Sequence, residues 1–239
     1  MKQFAIIGLG SFAQTALEEL ASYDFEILIV DRDENLIDRY KDFAVESFVA
    51  DVYNKEIFQK IIPGKIDTAI VDLGDDRETS ILATHYLKKM GVRDIVVKAE
   101  SLAHGEILKV VGATYVIFPE REAAQRLVPL LVSKLLFNYM PISSDLVLAE
   151  MSVPDKYEGK TLIQANLRKE RGLNVVAIRK GGLQNYDFFE PNYVLGGEDV
   201  LLIVGKPADV QYFSRVEEVP SGKKKTDFFK KLFGSWGNR

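Results

Sequence analysis

The sequence predicts a doubly wound parallel α/β domain followed by a small α+β domain. Three observations carry that prediction. An apolar run, Phe4-Ala5-Ile6-Ile7, breaks at Gly8-Leu9-Gly10 and then enters a helical pattern. The next apolar run, Ile27-Leu28-Ile29-Val30, ends in Asp31, 21 residues after Gly10. Up to residue 118, short segments apolar on both faces alternate with amphipathic ones, as in a parallel sheet covered by helices. The first two features form the strand, glycine turn, helix, strand and acid layout of a nucleotide-binding βαβ unit.

Strands are predicted over 4–7, 26–30, 47–50, 67–72, 94–98 and 115–118, and helices over 12–22, 34–41, 55–62, 77–90 and 101–111. A helix with a wide apolar stripe is predicted over 120–139, interrupted by Pro129. It reads either as a connecting helix that packs outside its own domain or as one buried in a single core. After it the periodicity changes. Strands are predicted over 146–153, 175–179 and 200–204, and helices over 162–170 and 208–213. The expected organisation is a nucleotide-binding domain at 1–118, a connecting helix and linker at 119–143, a second domain at 144–215 and a basic tail at 216–239.

Composition narrows the function classes. The 239 residues are 47 % hydrophobic and 28 % charged, with a net charge of −4. That balance disfavours a general affinity for nucleic acid. There is no cysteine, which excludes disulfides, thiolate metal sites and cysteine nucleophiles and fits a reducing compartment. The strand that follows Met1-Lys2-Gln3 leaves no room for a signal peptide, so none is expected. The densest apolar run, Leu127 to Tyr139, is interrupted by Pro129, Ser133, Lys134 and Asn138, and falls short of the ~20 residues of a membrane span. His85 and His104 have no accompanying serine or acid pattern and read as structural.

The candidate site follows from the fingerprint. Gly8 permits the tight turn off the first strand, and Gly10 lets backbone approach a phosphate without a Cβ in the way. Ala13 stands where a third glycine is usual, and its methyl is the smallest replacement there. A helix starting near Ser11 and Phe12 offers free N–H groups to phosphate. Asp31 is placed to accept from ribose hydroxyls, which disfavours a 2′-phosphate, although the adjacent Arg32 weakens that inference. Asp51 is placed to accept from an adenine amino group. Asp75, Asp76 and Glu78 form an acidic cluster that reads as a solvated helix start rather than a metal site. Lys223-Lys224-Lys225 precedes Phe228, Phe229, Leu232, Phe233 and Trp236. As a helix, residues 221–239 would suit an anionic membrane surface or a docking peptide; the alternative is a disordered basic tail.

Several segments, in order, resemble the regulator of potassium conductance (RCK) family, the cytosolic gating subunits of Ktr/Trk-type potassium uptake systems. They are Phe4–Ala13, Val30-Asp31-Arg32-Asp33, Ile95–Ala99, Ile107–Ala113 and Val116-Ile117-Phe118-Pro119-Glu120. They continue with Gly159-Lys160-Thr161-Leu162, Leu167-Arg168, Gly172–Ile178 and the stretch from Gly197 to Gly205. The resemblance implies dimers assembled in a ring, often an octamer, docked on an integral-membrane potassium channel or transporter subunit at the cytoplasmic face of the plasma membrane. It implies an adenine nucleotide (ATP or ADP, AMP, or NAD and NADH) in the first domain, with Val52, Leu73 and Gly74 completing the site. Members of this type commonly have arginine straight after the second glycine, where this chain has Ser11. A hydroxyl can bond one phosphate but cannot neutralise a triphosphate, so AMP, ADP and NAD(H) gain weight. Lys98 reads either as a substitute cation or as a strand-end surface lysine. Glu120 reads either as a ligand for a divalent or monovalent cation at the dimer interface or as an acid at a helix start. In some members the second domain binds cyclic di-AMP. Arg168 and Pro191 suit that role, but Arg179-Lys180 replaces the polar histidine pair of those members.

Two other functions compete. An NAD-dependent oxidoreductase needs an acid–base pair and a substrate domain, and the chain after residue 140 contains no histidine. A free-standing adenylate or redox sensor is the third reading.

Overall fold

The structure, a computed structural model, describes residues 2–214. The tail expected over 216–239 lies outside the described residues. The chain divides into two compact units, one ending at Ala123 and the other beginning at Ala124.

The first unit is a six-stranded, all-parallel sheet. Its strands are β1 (Gln3–Ile7), β2 (Glu26–Asp31), β3 (Glu46–Val49), β4 (Thr68–Val71), β5 (Asp94–Lys98) and β6 (Tyr115–Ile117), in the spatial order β3-β2-β1-β4-β5-β6. Between them run α1 (Ser11–Leu20), α2 (Glu34–Tyr40), α3 (Lys55–Ile61), α4 (Arg77–Lys89) and α5 (Leu102–Val111). The architecture is the doubly wound one expected from the sequence. The strands are apolar throughout because both faces are covered. Ala5, Ile7, Leu28 and Val30 pack on one face with Phe58, Leu87 and Leu108. Phe4, Ile6, Ile27 and Ile29 pack on the other with Leu17, Ile37 and Tyr40. The fully buried large aliphatic and aromatic side chains among them, such as Ile6, Ile7, Leu17, Ile29, Phe58 and Leu87, each contribute about 1.5–3 kcal/mol relative to exposure.

In this unit the α-helix starts follow local capping chemistry except at α1. Asp33, Asn54, Asp76 and Ser101 cap α2, α3, α4 and α5, each accepting from a backbone N–H two or three residues on. The residue before α1 is Gly10, which has no side chain to cap with. Its cap comes from elsewhere in the fold, as described below.

His104 is buried against α4. Its Nδ1 accepts from the Glu100 N–H at 3.3 Å, so the proton resides on Nε2, which donates to Ser80 Oγ at 2.9 Å. The Ser80 hydroxyl in turn donates to the Arg77 carbonyl at 2.8 Å. Burial first, and the nearby Arg77 charge second, pull the imidazole below its ordinary pKa of 6.5, against a smaller opposing effect of Glu100. The folded state therefore favours neutral His104. Its contribution is fully present above pH 6.5 and is lost as pH falls through the depressed folded value. Urea unfolding of the first unit is expected to weaken across that window, and His104→Gln is expected to remove that part of the dependence.

The second unit is antiparallel. The segment α6 (Pro119–Val132) leads into β7 (Leu136–Pro141) and β8 (Val147–Ser152). There follow α7 (Leu162–Ala165), α8 (Leu167–Arg171), β9 (Asn174–Arg179), β10 (Val200–Gly205) and α9 (Pro207–Phe213). The sheet order is β7-β8-β10-β9. Its core contains Leu136, Tyr139, Val147, Met151, Leu173, Leu201, Ile203 and Phe213.

Two expectations need correction here. The helix expected through Tyr139 stops at Val132, and residues 136–141 form β7. Leu136 and Tyr139 point into the core while β7 pairs with β8, and a register shift between Leu136 and Asn138 disturbs the two-residue alternation. A bulged strand with core residues three apart imitates a helical stripe. None of the α6 side chains is buried, and Leu131 and Val132 are each 74 % exposed. The helix expected over 162–170 is two short ones. Asn166 breaks it at φ 44°, a left-handed conformation that asparagine tolerates better than most residues.

Candidate functional site

The strand order turns back between β1 and β4, and such a switch point leaves a crevice outside the carboxyl ends of the strands. An open cleft of about 270 Å³ lies there. Its walls come from four strand ends. Leu9 and Gly10 follow β1, Val30 to Asp33 close β2, Ala50 to Val52 follow β3, and Asp72 to Gly74 follow β4; Leu36, Asp76 and Thr79 add to them. Of the residues expected in a site, Gly10, Asp31, Arg32, Asp51, Val52, Leu73 and Gly74 line this cleft together. Gly8, Ser11, Phe12, Ala13, Lys98 and Glu120 are not among its walls.

The two glycines have different reasons. Gly8 has φ +80°, and a Cβ on it would lie 2.2 Å from the Asp72 carbonyl oxygen. Gly10 has ordinary extended backbone, but a Cβ there would meet the Asp72 carboxylate at 2.3 Å. Asp72 is 1 % exposed. Its Oδ2 accepts from the N–H groups of Phe12 at 3.0 Å and Ala13 at 3.1 Å, and its Oδ1 from that of Gly74 at 3.3 Å. This carboxylate is the missing cap of α1. It also answers the positive end of the helix dipole.

Asp31 sits at the end of β2, half-buried. Its Oδ2 accepts from the Leu9 N–H at 2.6 Å and its Oδ1 from the Asp33 N–H at 2.8 Å. These bonds fix the carboxylate at the cleft wall with acceptor capacity remaining. Asp51 accepts from the Tyr53 N–H at 3.0 Å. Arg32 is 75 % exposed, and its nearest carboxylate oxygen, on Asp76, is 4.0 Å away. Asp76 accepts from the Thr79 N–H and hydroxyl, which hold its pKa below the ordinary value, with a smaller pull from Arg32. The acidic run at 75–78 thus includes a helix cap. Among the described residues no group of three or more His, Asp or Glu is arranged to hold a metal ion.

Lys98 ends β5 with its side chain 9 % exposed. Its ammonium lies 3.1 Å from Glu120 Oε1, 3.5 Å from Glu100 Oε1 and 3.9 Å from Asp72 Oδ1. Burial alone would lower its pKa, but the Glu120 hydrogen bond and the charges of Asp72, Glu100 and Glu120 outweigh it and hold the ammonium above its ordinary value. The Glu120 carboxyl is lowered by its own backbone N–H and by Lys98. The Glu120 side chain is otherwise 70 % exposed. Lys98 is thus a largely buried lysine paired with three carboxylates.

Sequence reasoning missed Asp72. It reads as the last residue of a strand, and its role depends on β4 lying against β1. The available signal was an acid standing directly before Leu73-Gly74 at the strand end expected beside the glycine turn.

In the second unit, Arg168 lies on α8 and Pro191 in the stretch between β9 and β10. A separate cleft of about 350 Å³ is lined by Lys180, Asp187, Phe188 and Tyr193 among others, and neither Arg168 nor Pro191 is among its walls.

Comparison with known proteins adds the relatives. Residues 4–119 match the TrkA-N domain and residues 146–216 the TrkA-C domain. The chain is 30 % identical over 216 residues to the Ktr system potassium uptake protein C of Bacillus subtilis (strain 168), covering 90 % of this chain and 96 % of that protein. It is 31 % identical over 180 residues to the Ktr system potassium uptake protein A of Vibrio alginolyticus, covering 75 % and 82 %. Among solved structures, the GsuK RCK domain superposes with a TM-score of 0.60 at 16 % identity, over 92 % of this chain and 48 % of that one. The GsuK channel bound to NAD gives 0.61 at 17 %, over 93 % and 40 %. The chain thus spans less than half the length of these structures, and at such identity they speak to the fold alone. With both domain models matched in order and a relative of nearly equal length, the chain belongs to the TrkA-N/TrkA-C (RCK) family of Ktr-type potassium uptake proteins.

Proposed function

We propose that the chain is a nucleotide-sensing regulatory subunit of a potassium-transport system. The cleft at the β1/β4 switch point, with Asp31 fixed on its wall, is the observation that carries this reading. Asp31 takes the ribose hydroxyls of an adenine nucleotide, Asp51 faces the base, and Val30, Leu36 and Val52 supply apolar contact. The relatives that match most of the chain are named potassium uptake proteins, and a channel of the same fold is described as bound to NAD. The role is regulatory rather than enzymatic, since gating needs ligand binding and no turnover.

The expected partner is an integral-membrane potassium-transport subunit, with copies of the chain assembled as dimers in a ring at its cytoplasmic face. Among the described residues no helix is long and apolar enough to cross a membrane. A nucleotide biases such an assembly only through its differential affinity for two states, about 1–3 kcal/mol per site. The test is potassium flux through the reconstituted partner with and without the chain, under titration with adenosine, AMP, ADP, ATP, NAD and NADH. Flux that responds to the chain and to at least one ligand supports the reading. Flux indifferent to all of them overturns it.

A further inference from the structure

The cleft reads as a nucleotide site at its ribose end, but its phosphate end is already filled by the chain itself. In a glycine turn of this kind, phosphate oxygens are held by free N–H groups between the end of the strand and the first turn of the helix. Here five of the six N–H groups from Gly8 to Ala13 are engaged. Gly8 donates to the Val30 carbonyl, Leu9 to Asp31, Gly10 to the Asp72 carbonyl, and Phe12 and Ala13 to the Asp72 carboxylate. Ser11 alone is left, with one N–H and one exposed hydroxyl. The space that a glycine leaves open at position 10 is taken by the Asp72 carboxylate.

Charge points the same way. The cleft walls carry Asp31, Asp33, Asp51, Asp72 and Asp76 against one guanidinium, Arg32. The nearest buried cation, Lys98, is turned to Asp72, Glu100 and Glu120. A polyphosphate entering from the ribose end would meet a carboxylate-capped helix and no unpaired lysine.

We propose that the cleft takes adenosine or AMP, a nucleoside with at most one phosphate, and that Asp72 is the residue that sets this specificity against di- and triphosphates and dinucleotides. This rests on the cleft being a nucleotide site as proposed above. A single phosphate is served by Ser11. A second or third has no donor left and faces the charge of Asp72 at the cleft wall.

The test is calorimetric titration of the full-length chain with adenosine, AMP, ADP, ATP and NAD at one salt concentration, repeated with Asp72→Ala. Adenosine and AMP are expected to bind at least tenfold more tightly than ATP and NAD. Asp72→Ala frees the Phe12 and Ala13 N–H groups and one side of Lys98, so it is expected to raise the affinity for ATP relative to that for adenosine at least tenfold. Should that variant fail to fold, the wild-type salt series decides. Repulsion from the solvent-facing wall carboxylates Asp33 and Asp51 is screened, so the gap between AMP and ATP is expected to narrow as salt rises; attraction to cationic contacts would make ATP binding weaken with salt and the gap widen. ATP or NAD binding as tightly as AMP overturns the proposal, as does a ratio unmoved by Asp72→Ala. Loss of binding by every ligand, adenosine included, overturns the nucleotide reading itself, whereas binding of all of them with ATP preferred overturns only the specificity.

Discussion

Gly8→Ala is expected to destabilise the first unit by about 2–5 kcal/mol, enough to unfold it in many marginally stable domains. Two costs combine. The backbone at φ +80° is strained for any residue with a Cβ. The added methyl would also lie 2.2 Å from the Asp72 carbonyl oxygen and 2.7 Å from Leu73 Cδ2. The leucine end can move, but the carbonyl cannot. It accepts from the Gly10 N–H at 3.2 Å, and the Asp72 N–H donates to the Ile7 carbonyl at 2.9 Å, so shifting it pulls β4 away from β1. Urea unfolding followed by circular dichroism measures the loss. Gly64→Ala is the control, because a Cβ there meets nothing within 4 Å. It is expected to change stability by less than about 0.5 kcal/mol, or to raise it by restricting the unfolded chain. Equal stability of Gly8→Ala and wild type would mean that the turn is not built as described.

Asp31→Ala is expected to weaken AMP binding by roughly tenfold to a hundredfold, the effect of losing a charge-assisted hydrogen bond of about 1.5–3 kcal/mol. The same carboxylate orders the turn by accepting from Leu9 and Asp33, so part of the loss is structural. Thermal unfolding without ligand separates the parts. The structural share lowers the apo melting temperature, and the binding share reduces the further rise that AMP produces, which for wild type corresponds to about 2.7 kcal/mol of added stability at a hundredfold excess over Kd. Arg32→Ala is expected to change AMP affinity less than threefold, because its guanidinium is 75 % exposed and screened by solvent. Unchanged AMP affinity in Asp31→Ala would remove Asp31 from the site.

Much of the first unit was legible because its signals are local. A strand apolar on both faces, such as Ile27 to Val30, announces two covering helix layers. Asp33, Asn54, Asp76 and Ser101 sit at the helix starts they cap, within three residues of the N–H groups they serve. The second unit was harder to read. In β7 the bulge between Leu136 and Asn138 replaced alternation by a three-residue spacing, and a helix and a bulged strand then share one pattern. At 162–170 the break at Asn166 depends on a single left-handed residue inside an otherwise helical run.

Sequence alone determined the doubly wound class, the position of the glycine turn and the acid at the end of β2, since each rests on spacings within about twenty residues, a range in which strand and helix geometry limits where the chain can go. It could not determine what occupies that turn. Asp72 reaches the Phe12 N–H from 60 residues away, and Lys98, at the end of β5, reaches Glu120 just past the end of the neighbouring β6. The first contact exists because the chain crosses back to set β4 beside β1, and the second because β6 lies beside β5. Strand order is a property of the whole packed sheet and leaves no local period. The tertiary structure therefore decided that a motif read as a phosphate cradle holds a carboxylate of its own chain.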